Sequence, residues 1–155
     1  MRGFTLRALP VCFVAAVTGC FSTGGAVGPA GGPPPTPTHA YWRQVGAILS
    51  QKSTTKEWRD AVALVQRQTA ALQELSTEGV DPALASAAAE VIRCEEEVLN
   101  VASMFDNNPA ELKKNQAMAV TFADANRKAS EAKKRLKGLR DALNARLGGG
   151  FAPIE

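Results

Sequence analysis

Few side chains in this sequence can do chemistry, and their spacing narrows what that chemistry can be. His39 is the only histidine. A nucleophile–histidine–carboxylate triad, or a pair of imidazole metal ligands, cannot be built from one histidine beside a Pro-rich stretch. Glu95, Glu96 and Glu97 are consecutive, so on a helix they fan out at about 100° intervals and form no paired-carboxylate site. A dimetal bundle would need Glu-x-x-His on facing helices, and that spacing is missing. Cys94 has no histidine to activate it and falls on an apolar seam, where a thiol acts as a small hydrophobe. A reactive thiol or an intermolecular disulfide is the alternative. The residues therefore predict no enzyme, no metal and no cofactor, and no small-molecule substrate is identifiable. One chemically distinctive residue remains, Cys20, which closes the run Val17-Thr18-Gly19-Cys20.

What precedes Cys20 gives it a context. Arg2 and Arg7 make a positive start with no acid nearby, and Ala8 to Val17 is apolar except for Pro10. That is about ten residues, well short of the roughly 20 that span a bilayer. Positive start, short apolar stretch and small residues before a cut are the layout of a secretory signal peptide. Val17-Thr18-Gly19-Cys20 resembles the lipobox of bacterial lipoproteins. The resemblance is confined to residues 1–20, and the rest of the chain resembles no family. It implies that the Cys20 sulfur receives a diacylglycerol, that residues 1–19 are removed, and that the new amino group is often acylated too. The covalent lipid is then the only added group. Phe21, rather than Asp, follows the cysteine, which by the same resemblance favours the outer membrane over the inner where two membranes exist. The mature chain would face the periplasm or the outside. An ordinary secretory cut or a buried apolar strand are the other readings of this segment, and the strand has no partner segment to pair with.

Removal of that leader changes the charge balance. The chain holds 18 Lys+Arg and 15 Asp+Glu; without Arg2 and Arg7 it holds 16 basic residues against 15 acidic, a formal +1. The sequence pI of about 8.9 is thus partly a property of the leader, and a nucleic-acid partner loses its support. Cys12 leaves with the leader and Cys20 becomes a thioether, so Cys94 stands alone and no intrachain disulfide forms. The domain must hold by packing.

The elements that position these residues follow from composition. Ten of the 18 residues from Phe21 to Thr38 are Gly or Pro, too many for a core or a helix. Residues 20–38 read as a disordered tether reaching at most roughly 50 Å, extended in its Pro33–Pro37 half. From His39 helix formers dominate, and residues 39–150 read as one helical domain with 151–155 as a tail. Asp81-Pro82 and Asn108-Pro109 each put a capping side chain before a proline at the first helical position. Thr54-Thr55-Lys56-Glu57 offers a capping box, and Gly148-Gly149-Gly150 a stop. The spacing predicts a short helix near 40–51 and longer ones near 55–76, 82–106 and 109–147. The fold class is all-α: an antiparallel, coiled-coil-like bundle of three long helices and a short one.

Apolar spacing supports the bundle. Leu84, Ala87, Val91, Cys94, Val98, Val101 and Phe105 fall at alternating steps of three and four, as do Met118, Phe122, Ala125, Ala129, Ala132, Leu136, Leu139 and Leu143, the rhythm of a helix–helix seam. Trp58, Val62, Val65, Thr69 and Leu72 form a third stripe. Tyr41 and Trp42 with Val45, Ile48 and Leu49 could serve as core or as an interfacial anchor near the lipid. Charge is segregated: residues 78–106 carry a net −6 and residues 124–146 a net +5. Arg127, Lys128, Lys133, Lys134, Arg135 and Lys137 either pair with the acidic helix or offer a basic face to an anionic polymer or lipid surface. Lengths of about 37 Å for 82–106 and about 58 Å for 109–147 carry Leu136, Leu139, Leu143 and Leu147 past the bundle as a candidate interaction stripe. A bend at Lys137-Gly138 could fold it back, but the unbroken heptad spacing favours a protein partner or a homo-oligomer. The expected role is a scaffold, adaptor or assembly subunit held at the cell envelope.

Overall fold

A computed structural model describes residues 36–55, 57–104, 110 and 114–155. The motif at 17–20, the Gly/Pro-rich tether before residue 36, Phe105 and the Asn108-Pro109 cap lie outside the described residues. Within them the fold is all-α, with four helices and no strand: α1, Pro37–Leu49; α2, Trp58–Gln73; α3, Pro82–Ser103; and α4, Gln116–Leu147.

Three of the four helices begin where a side chain or a proline makes a start inexpensive. α3 starts as the sequence predicts: Asp81 accepts from Ala83 N–H (3.0 Å) and Leu84 N–H (3.3 Å), and Pro82 occupies the first helical position. α1 uses the same device earlier than expected, with Thr36 as cap and Pro37 first. His39, three residues on, turns Nδ1 back to accept from Thr36 N–H at 3.2 Å, the part that a glutamate plays in a capping box. The expected box at Thr54 does not form. α2 starts at Trp58 with Glu57 as cap and no side-chain cap bond, because the Thr55 hydroxyl instead meets the Asp60 carboxylate and Glu57 N–H. α4 starts at Gln116, where Asn115 accepts from Met118 N–H.

The seams pack as their spacing demands. Leu84, Ala88, Val91, Cys94 and Val98 of α3 meet Ala125, Ala129, Ala132, Leu136 and Leu143 of α4 in one core, closed by Leu72 of α2 and by Tyr41, Trp42, Val45 and Ile48 of α1. Tyr41 and Trp42 are therefore core. α3 and α4 run antiparallel, in register from Arg146 beside Asp81 to Lys128 beside Glu97.

That register corrects the expected overhang. α4 spans about 48 Å against about 33 Å for α3, but its last turn lies level with the first turn of α3. The excess falls at the start of α4, where Val120 is 64% exposed. Leu136 and Leu143 are fully buried, while Leu139 and Leu147 pack partly buried against the same core. α4 runs unbroken through Gly138, so the stripe is met by the domain's own core without a bend. Residues 151–155, expected as a tail, do part of that work: Phe151 and Ile154 are buried in the core cluster.

Candidate interaction surfaces

The six residues of the candidate basic face, all on α4, sit mostly in ion pairs. Lys128 Nζ lies 2.8 Å from Glu97, Arg135 lies 3.8 Å from Glu90, and Arg127 bridges Asp124 (2.6 Å) and Glu131 (2.8 Å) along its own helix. These pairs are solvent-exposed and each is worth about 0–1 kcal/mol, more for matching the helices than for stability. They leave electrostatic traces. Hydrogen bonds from Arg127 and Lys128 hold the Asp124 carboxyl below its usual range, and the Arg93 guanidinium does the same for Glu90. Lys134 and Lys137 have no ion pair among the described residues. Three of the six, Lys128, Lys133 and Arg135, thus face carboxylates of α3.

Lys133 differs from the rest. Its ammonium reaches 2.6 Å from Glu95 Oε1, and Glu95 is 1% exposed. The Thr69 hydroxyl of α2 donates to Glu95 Oε2 at 3.0 Å, so one buried carboxylate joins three helices. Glu96 and Glu97 point elsewhere, to Gln73 and Lys128, as the fan of three consecutive glutamates requires. Cys94 is buried and free, and burial first, then the nearby Glu90 carboxylate, pushes its thiol up. A buried thiol with a raised pKa is a poor nucleophile. Among the described residues no group of histidine, cysteine and carboxylate could hold a metal ion.

His39 is the functional-type residue that sequence reasoning misplaced. It is buried, not stranded at a linker boundary. Nδ1 serves the α1 start, as described above, and Nε2 meets the Gly149 carbonyl at 2.8 Å. Since Nδ1 accepts from a backbone N–H, the Nε2–H tautomer is the one that satisfies both contacts. Its ring stacks on Phe151 at 4.2 Å. Trp42 meets Phe151 edge-on at 5.9 Å and donates from Nε1 to the Ala152 carbonyl at 2.8 Å.

Two other surfaces stand out. A shallow open groove between α3 and α4 is lined by Ala83, Ser86, Ala87, Ala132 and Leu139, with Glu90 and Arg135 on its rim. At the opposite end of the α3–α4 pair from the Gly148–Gly150 turn, Met104 is 67% exposed and Trp58 packs on Phe122 at 4.9 Å. No described helix is long and apolar enough to cross a membrane. No protein-family model matches this chain, and no curated protein or solved structure does either.

Proposed function

We infer that this chain is a membrane-anchored bacterial lipoprotein whose helical domain acts as an interaction or structural module at the cell envelope. The observation that carries this reading is Val17-Thr18-Gly19-Cys20 at the end of a short apolar run behind Arg2 and Arg7. A covalent lipid on Cys20 supplies the membrane attachment that no described helix provides. Phe21 directs the anchor to the outer membrane where two membranes exist. The helical domain then stands off the surface on a Gly/Pro-rich tether and presents helix faces, with no cofactor and no substrate chemistry. A module that grips an anionic polymer through α4 is the weaker reading, because Lys128, Lys133 and Arg135 face carboxylates of α3.

Membrane fractionation of wild type and Cys20→Ser tests the anchor. The wild type should sediment with membranes and partition into detergent. Cys20→Ser should accumulate as uncut precursor or as soluble protein. A Cys20→Ser chain that is processed and membrane-bound like the wild type would remove the anchor from the account.

A further inference from the structure

Among the described residues, only α3 and α4 line the groove that runs between them. α1 and α2 pack on the other side of the pair, where Thr69 of α2 reaches Glu95 and Trp42 of α1 enters the shared core. The floor of the groove is small, Ala83, Ala87 and Ala132, and Leu139 walls it. Small side chains at a contact bring helix axes to the near end of their usual range of roughly 8–10 Å. Charges border this floor in a fixed pattern. Glu90 and Glu97 stand seven residues apart on α3, and Lys128 and Arg135 seven apart on α4, so each couple shares one flank of its helix. Lys128 faces Glu97 at 2.8 Å, and Arg135 faces Glu90 at 3.8 Å. The Arg135 side chain is 66% exposed and has no closer carboxylate among the described residues.

We propose that this groove is the interface of a homodimer, in which the α3–α4 pairs of two copies, related by a twofold axis parallel to the helices, close into a four-helix bundle. Charge selects both the partner and the axis. A twofold along the helices keeps every residue at its own level and sets α3 of one copy against α4 of the other. Glu90 then faces Arg135 of the second copy and Glu97 faces its Lys128, so each layer alternates in sign around the bundle. Neighbouring helices all run antiparallel, as in an up-down bundle. A twofold across the helices would instead set acidic α3 on α3 and basic α4 on α4. The tether supplies a second reason, independent of charge. Thr38 Oγ1 accepts from Asp81 N–H at 3.0 Å, so α1 begins at the end of the pair where α3 begins. The axis that charge selects leaves residue 36 of both copies at that one end, where two tethers can reach a single membrane. The proposal rests on the interaction-module reading above and names the partner as a second copy.

The experiment co-expresses two differently tagged full-length chains, captures one tag from a detergent extract and reads the other. The wild-type pair should co-purify. Arg135→Glu on both chains turns the central layer into four carboxylates, and Glu90→Arg on both turns it into four cations. Each should lower co-purification several-fold. Arg135→Glu on one chain with Glu90→Arg on the other puts opposite charges across both contacts between chains, and should return co-purification to the wild-type level. Like charges within each chain remain in that mixed pair, so recovery reports the contact between chains and not repaired folding. Lys134→Glu on both chains, an exposed position outside the groove, should change nothing. A wild-type pair that does not co-purify overturns the proposal, as does a mixed pair no better than either variant paired with itself. A loss as large with Lys134→Glu reports general charge and overturns it too. The capture reads helix faces whether or not Cys20 carries lipid, so its failure leaves the anchor to be judged by membrane fractionation.

Discussion

Glu95 shows how much a single residue decides in this domain. A carboxylate removed from water is costly, and only the Lys133 ammonium and the Thr69 hydroxyl compensate it. Lys133→Met leaves that carboxylate buried without its cation, and should cost toward the lower end of about 3–5 kcal/mol, since the Lys133 side chain is 31% exposed and water can partly replace it. The double variant Glu95→Leu/Lys133→Met should recover most of the loss. Urea midpoints for the four proteins of this cycle measure both, and a double variant no better than Lys133→Met would show that the pair is not the relevant unit. Cys94 adds a pH dependence. Burial raises its thiol above the ordinary 9.0 and raises the Tyr41 hydroxyl above 10.0. The native state keeps both protons at pH values where the unfolded chain has released them. The stability they contribute is therefore complete below about pH 9 and is lost as pH rises through the raised values. Denaturant midpoints from neutral into alkaline pH should fall, and Cys94→Val should flatten part of the fall. Alkylation of Cys94 should be slow in the native state and fast in denaturant. The buried thiol was legible in the heptad spacing. The Glu95 pair was not, because consecutive glutamates on a helix give no sign of which one faces inward.

At the scale of elements, the sequence was most readable where periodicity was long. The α3 and α4 seams fall on their 3–4 steps, and Asp81-Pro82 starts α3 where a capping side chain before proline should. Starts were misread where competing caps lie close together. Thr55 bonds Asp60 instead of opening α2, and Asn115 restarts the chain so that α4 is 32 residues long. That shift moved the overhang from the leucine end to the Val120 end, and turned an expected docking stripe into core. Gly138 and Gly148 test the α4 description from opposite sides. Gly138 is helical with open space around it, so Gly138→Ala should raise stability by about 0.5–1 kcal/mol. Gly148 is left-handed at φ 81° and closes the helix on the Asn144 carbonyl, so Gly148→Ala should lower it by about 1–2 kcal/mol. Thermal melts that move both variants in one direction would contradict this geometry. Leu136→Ala, deep in the core, should cost about 2–5 kcal/mol.

The whole molecule has no disulfide or metal among its described residues, so packing must hold it. Its pieces close on each other. α1 and the strap formed by residues 149–155 cover the half of the bundle where α3 begins and α4 ends, and opposite charge aligns the two long helices. Strap packing was not legible in the sequence, since it depends on contacts between residues 39–46 and 149–154 that lie more than a hundred positions apart. The anchor was legible only as a motif, and it lies outside the described residues. Its chemistry is also the most exposed to direct measurement. Mass spectrometry of the N-terminal peptide from membrane-purified protein tests the central claim. The account predicts a chain that begins at Cys20, with the diacylglyceryl mass on its sulfur and a blocked or lipid-modified amino group. A soluble protein that retains residues 1–19, or one with a free, unlipidated N-terminus at any other residue, would contradict it.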